Sequence, residues 1–157
     1  MELQRFIPEG WNDVREELDL ETLKQAKIDG TVLQGFVEKC DENCNLQIPL
    51  GKDIIGIIPR NEMDAVNSDE FGMTRPSICQ NKVNNFVQFK VKEMYDENKF
   101  LLSRKDVGTL ALEWAKNDLE PGMVVNRNCK KYTKIRCFCR HRWRRYRTCS
   151  YRGYFNF

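Results

Sequence analysis

The chain has 157 residues, seven cysteines and a formal net charge of +3, enough for one domain of ordinary size or one small domain with appendages. Its longest strongly apolar run, Ile54 to Ile58, is interrupted by Gly56 and falls far short of the ~20 residues of a membrane span, so a soluble, cytoplasmic protein with no membrane partner is expected. An odd cysteine count in a chain read as leaderless points to reduced thiols rather than a disulfide framework.

Charge is divided unevenly. Residues 1–125 hold 15 Lys+Arg against 23 Asp+Glu, a net of −8, whereas residues 126–157 hold 11 Lys+Arg and no acid, a net of +11. Two such compositions seldom belong to one continuous globular unit. A boundary is expected near Val125.

Residues 1–11 carry little pattern beyond Trp11, a candidate packing anchor. Asn12 as a cap, Glu16 and Glu17 near the first turn, and the spacing of Val14, Leu18, Leu20 and Leu23 predict one or two short helices that stop at Gly30. Three short apolar segments follow, Gly30 to Val37, Asn45 to Gly51 and Ile54 to Met63, with Asp41-Glu42-Asn43 as the turn between the first two. Gly35, Gly51 and Gly56 fall where a tight barrel needs bends. In the first strand the two-residue period puts Leu33, Gly35 and Val37 on one face and Val32, Gln34, Phe36 and Glu38 on the other. Phe36 then faces outward, either packing beneath the N-terminal helix or stacking on a base.

Residues 61–85 form a long connection, with a short helical turn over 61–65; connections of this length are functional or mobile. Alternation returns with Val87, Phe89 and Val91 on one face and Gln88, Lys90 and Lys92 on the other, a half-buried strand whose exposed side is cationic. Tyr95 to Lys99 is turn-like, and Phe100 to Lys105 reads as a fifth strand ending in Arg104 and Lys105. Asp106 can cap a helix with Leu110, Ala111, Trp114 and Ala115 along one face, a stripe suited to docking. Pro121-Gly122 marks a linker, after which Met123-Val124-Val125 begins a new strand.

Three motifs in order, Gly30-x-x-x-x-Gly35-x-Val37, Gly56-Ile-Ile-Pro-Arg-Asn-Glu-Met63 and Asp96-x-x-x-x-Leu101-Leu102-Ser103-Arg104-Lys105, make residues 29 to 105 resemble the S1 RNA-binding domain. That module is a five-stranded OB-fold barrel, repeated in the largest protein of the bacterial small ribosomal subunit. The resemblance implies a mainly β fold, the barrel being flanked by short N- and C-terminal helices and followed by an irregular basic tail. It implies binding of single-stranded RNA or mRNA in translation or RNA handling, with the ribosome as a possible partner. The family's usual aromatic and histidine are replaced here by the Asn45-Leu46-Gln47 stretch and Pro59. The candidate RNA-binding residues are Phe36, Arg60, Lys90, Asp96, Lys99 and Arg104. With a net charge of −8 on residues 1–125, affinity there must be local rather than bulk electrostatic. The alternative is a degenerate barrel that docks onto a protein or the ribosome.

The tail admits three readings. Cys129, Cys137, Cys139, His141 and Cys149 offer zinc ligands, but Cys137-x-Cys139-x-His141 has poor spacing for a tetrahedral site, and no metal or cofactor is expected. A cationic arm could contact phosphates through Arg and stack through Tyr. The third reading explains the composition itself: with permitted codons and the frame moved by one nucleotide, residues 127–155 decode as GIVKNIQKYGAFVDIGGGVTGLAHIEDIS, the first half of an S1 repeat. Glycine codons read out of register give arginine and tryptophan, as in Arg142-Trp143-Arg144-Arg145. Glu120 to Val125 resembles the opening of the same repeat. On this reading the chain is a truncated fragment with an N-terminal helical extension (1–28), an S1-type barrel (29–105), a linker helix (106–119), and a repeat start running into a frameshifted, disordered basic tail (120–157). No enzyme is expected: the chain lacks a phosphate-binding glycine loop and a metalloprotease helix, and its one histidine, His141, lies in the tail. The sequence carries no signal for oligomeric state.

Overall fold

A computed structural model describes residues 9–10, 14–64, 68–118, 128–132, 136–140 and 146–150, the last three segments by their backbone alone. Trp11, Asn12, His141 and the repeat-like opening at 120–125 lie outside the described residues. The chain divides into two units, residues 12–110 and a second made of residues 1–11 and 111–157, so one boundary falls inside a helix.

Helix α1 (Leu20–Asp29) buries Leu23 and Ala26. It starts later than the spacing from Asn12 suggests, because residues 14–19 are not helical and Leu18 N–H instead donates to Leu50 carbonyl at 2.6 Å. It stops where expected: Gly30 takes a left-handed φ of 64° as its C-cap, a conformation only glycine adopts without strain.

The first unit is a curled, mainly β structure. Strands β1 (Leu33–Phe36), β2 (Lys39–Cys40), β3 (Leu46–Pro49), β4 (Ile55–Ile58), β5 (Phe86–Asp96) and β6 (Lys99–Ser103) form one sheet in the order β1-β5-β6-β4-β3-β2. Six strands stand where five were expected, and the reason is local. β1 and β2 are two pieces of one strand that changes partner at Val37 and Glu38. Val37 N–H donates to Asn85 carbonyl at 3.0 Å on the β5 side, while Glu38 N–H donates to Gln47 carbonyl at 3.1 Å on the β3 side. The two edge strands of the sheet are therefore successive stretches of chain, and the sheet curls into a half-barrel.

Gly35 permits that curl. A Cβ there would stand 2.6 Å from Ile48 Cγ2 and 3.0 Å from the Phe89 ring, so only a glycine lets β1 come this close to both. Inside lie Val37, Leu46, Ile48, Ile58, Val87, Phe89, Phe100 and Leu102, closed off by Leu23 and Leu50. The alternation of Val87, Phe89 and Val91 places all three inside as expected, but the opposite side is less open than the sequence suggests: Gln88 is buried and Lys90 half-buried.

Two bulges bend β5. Val91 and Glu93 face consecutive β6 residues Leu102 and Leu101, and Met94 and Asp96 face Phe100 and Lys99, leaving Lys92 and Tyr95 as the extra residues. Bulges coil a strand and re-aim the inserted side chain.

The 61–85 connection is organised. A 3-10 turn (Arg60–Glu62) stands near the expected helical turn, Ser68 and Thr74 bridge, and a short helix α2 (Pro76–Gln80) buries Cys79. Helix α3 (Lys105–Asn117) follows β6, its start held by Ser103 rather than Asp106: the Ser103 hydroxyl accepts from Asp106 N–H at 3.1 Å.

In the second unit, β7 (Asn128–Tyr132), β8 (Arg136–Arg140) and β9 (Tyr146–Ser150) make a three-stranded antiparallel sheet. The frameshift reading expects an irregular, disordered tail here, whereas the described segments are these three strands. The register sets Cys129 opposite Cys139 and Cys137 opposite Cys149.

Candidate nucleic-acid interface

The outward face of the sheet is read from its register. One cross-strand row runs Lys39, Gln47, Ile57, Leu101, Glu93. The next runs Pro49, Ile55, Lys99, Asp96. Together they give a surface with an aliphatic centre, Ile55, Ile57, Leu101 and Pro49, and charged ends. No aromatic ring stands in either row.

An aromatic stands at the border instead. Tyr95, the residue extruded by the second β5 bulge, is 70% exposed beside the Asp96–Lys99 hairpin turn. Ile55 at 41% and Met94 at 42% exposure flank that end of the sheet. Ile55 N–H donates to Asn98 carbonyl at 2.9 Å, which ties the turn to β4, and Asp96 Oδ1 accepts from Glu97 N–H at 3.1 Å. Lys99 and Asp96 are register partners and both exposed. The sequence marks Tyr95 only as turn-like, because strand periodicity ends there; its exposure comes from the bulge, which depends on pairing with β6.

The six residues expected from sequence part company. Asp96 and Lys99 stand together at the hairpin turn. Phe36, at the end of β1, packs its ring edge-on against Phe86 at 5.3 Å between centroids, and the Arg15 guanidinium lies 3.9 Å from its centroid. Its partners are thus a second ring and a cation. Lys90 Nζ lies 3.5 Å from where a Gly30 Cβ would stand, at the C-terminal end of α1, where the helix dipole favours a cation.

Arg60 and Arg104 face inward partners. Arg60 Nε donates to Thr74 carbonyl at 2.6 Å, Thr74 N–H returns to Arg60 carbonyl at 3.3 Å, and Arg60 N–H donates to Asn45 Oδ1 at 3.2 Å. Asn45 is itself held by both carboxylate oxygens of Asp41, at 2.7 and 2.8 Å. Arg104 donates to Met63 carbonyl at 3.1 Å and pairs with Asp64 at 3.5 Å, and its N–H bonds Glu62 carbonyl at 3.0 Å.

Glu62 anchors the same corner. Its Oε1 accepts from Lys92 Nζ and its Oε2 from the buried Ser103 hydroxyl, both at 2.7 Å. Burial alone would raise the Glu62 carboxyl, but the bonds from Lys92 and Ser103 win and hold it below its usual range, while the bond to Glu62 raises Lys92.

Cys40, Cys44 and Cys79 are free thiols, and burial pushes Cys79 up to about 11. Among the described residues no group of three or more His, Cys, Asp or Glu is placed to hold a metal ion, and no helix is long and apolar enough to cross a membrane.

One solved structure with similarity to this chain is the solution structure of GSP13 from Bacillus subtilis, matched over 60% of this chain and 62% of that one at 17% sequence identity and a TM-score of 0.36. The chain thus spans less than two thirds of that protein's length. No protein-family model and no curated protein matches the sequence.

Proposed function

We propose that this chain binds single-stranded RNA through an S1-type OB barrel, with the strand entering at the Tyr95–Lys99 end of the sheet. The observation that carries this is the bulge in β5: it holds Tyr95 in solvent at 70% exposure beside Lys99, a stacking surface next to a phosphate-sized positive charge. Base stacking on such a ring contributes about 1–3 kcal/mol. The reading is supported by the order of the three S1-like motifs and by a curled sheet whose first strand joins both edges. The role is handling of mRNA or another single strand in translation in the cytoplasm, and the chain is the fragment left when a second repeat is read out of frame after residue 126.

The test is a titration of labelled unstructured RNA against the full chain, with excess duplex competitor to occupy the basic tail. Tyr95→Ala is expected to weaken binding by about 1–3 kcal/mol with unchanged thermal unfolding. Equal affinity for the two proteins would refute the reading.

A second reading has its own observation. The aliphatic centre of the outward face, with the Asn45-Leu46-Gln47 stretch and Pro59 in place of ring and imidazole, suits a protein surface rather than bases. On that reading the barrel docks onto a partner such as the ribosome, and RNA binding is absent even at low salt.

A further inference from the structure

Between Ser68 and Thr74 the chain makes a small closed loop whose tip is a phenylalanine. Asp69 braces it from within: Oδ1 accepts from Phe71 N–H at 3.0 Å and from Met73 N–H at 2.8 Å. The Asp69 backbone closes the same loop, N–H to Met73 carbonyl at 2.9 Å and carbonyl from Gly72 N–H at 3.0 Å. Gly72, at φ 75°, makes the reversal that lets both strands of the loop meet. At its root, Thr74 is joined to Arg60 by the two bonds already described. A loop so tied holds its tip in one place, and the tip residue, Phe71, is 86% exposed.

An aromatic ring kept in water by a hydrogen-bonded loop is an exposed apolar surface whose burial is favourable. A protein partner recognises an anchor of this kind inside a collar of further contacts that exclude water. Among the described residues Phe71 has little such collar: Glu70 and Arg75 beside it are exposed charges, and Met73 is the one exposed apolar neighbour within the loop. Stacking on a base needs only the ring face, and Arg75 stands close enough in sequence to meet a phosphate. The loop's root, Arg60, follows β4 after Pro59, and the other end of β4, Ile55, adjoins the Tyr95–Lys99 turn, so loop and turn lie at opposite ends of one strand. Five chain steps, through the rest of β4 and Pro59, carry Ile55 to Arg60, at most about 17 Å.

We infer that Phe71 is a second stacking residue for single-stranded RNA, receiving the part of the strand that has run the length of β4 from Tyr95. The inference rests on the RNA-binding reading. It makes the bound segment several nucleotides long, within the range of about 4–16 that single OB-type barrels cover. Asp69 Oδ1 is engaged within the loop by two backbone amides, and beside the tip Glu70 and Arg75 carry opposite charges in solvent.

The experiment compares the full chain with Phe71→Ala, Phe71→Trp and Tyr95→Ala against a trinucleotide and a decanucleotide, in excess duplex competitor. Phe71→Ala is expected to weaken the decanucleotide roughly five- to a hundredfold, the range of one lost stack, and to leave the trinucleotide unchanged. Phe71→Trp is expected to keep the affinity and to add an emission that the decanucleotide quenches. Tyr95→Ala is expected to weaken both ligands. If Tyr95→Ala weakens binding and Phe71→Ala does not, the inference falls and the RNA reading stands, with Phe71 left to a protein interface. If neither substitution changes binding, both fall.

Discussion

The two ends of β4 use the same kinds of residue in opposite ways. At the Ile55 end, Tyr95, Asp96 and Lys99 stand in solvent around a hairpin turn. At the other end Glu62 joins Lys92, Ser103 and the Arg104 backbone and so pins the 3-10 turn to β5 and β6, while Arg60 ties the same turn to Thr74. Arginine suits that second task because its fixed fork of donors satisfies carbonyls and carboxylates at once, whereas a lysine on a hairpin turn keeps its ammonium free. A charge in a binding-module sequence is therefore not yet a binding charge; what decides is whether a backbone carbonyl or carboxylate already claims it.

Substitutions at the Arg60 end can break this contrast. The largest stability effect belongs to Glu62→Ala, which strips the acceptor from the buried Ser103 hydroxyl and from Lys92. A loss of about 2–3 kcal/mol in urea unfolding is expected, with RNA affinity unchanged; an equal loss of affinity would mean that the corner is part of the interface. Arg60→Lys keeps the charge and loses the Nε bond to Thr74. It is expected to cost about 1 kcal/mol of stability and no affinity, whereas a binding role for the guanidinium predicts the reverse.

The pH dependence is smaller and has a definite sign. Glu62 is depressed in the folded state, so its contribution is present above the ordinary carboxylate range and is lost as pH falls through the folded value. Lys92 is raised, so its contribution holds at neutral pH and is lost only as pH rises past the ordinary lysine value through the folded one. Lys92 is partly exposed, and solvent screening keeps its share modest. Glu62→Gln should flatten the acid limb of a stability profile and leave the Cys79 thiol unaffected. Smallest of all is removal of residues 126–157: the frameshift reading expects the thermal unfolding of the barrel to stay within about 1 °C, and a clear drop would show that the tail was selected to pack. The nucleotide sequence around codon 126 tests the same point independently.

Much of the fold was legible because it rests on short-range pattern. Leu33, Gly35 and Val37 alternate with Gln34 and Phe36, Val87, Phe89 and Val91 form the buried side of β5, and Gly30 ends the helix as its left-handed φ requires. The split of the first strand was not legible, since Val37 and Glu38 look like any strand interior and change partner only because β5 and β3 lie on opposite sides of them. The site was less legible than the fold for the same reason. Arg60, Lys90, Lys99 and Arg104 are equivalent as letters, yet three stand against backbone or a helix end that only the folded chain supplies. Tyr95 and Phe71 were passed over because a bulge and a braced loop, rather than periodicity, expose them.

The central claim is that RNA meets this chain at the Tyr95–Lys99 end of the sheet. Backbone amide chemical shifts of the full chain, followed during addition of an unstructured oligoribonucleotide with duplex competitor present, test it most directly. The account predicts shifts concentrated at Ile55 and at Tyr95 through Lys99, with Phe71 joining as the oligonucleotide lengthens. Shifts confined to residues 126–157, or centred on Arg104 and Glu62, would contradict it.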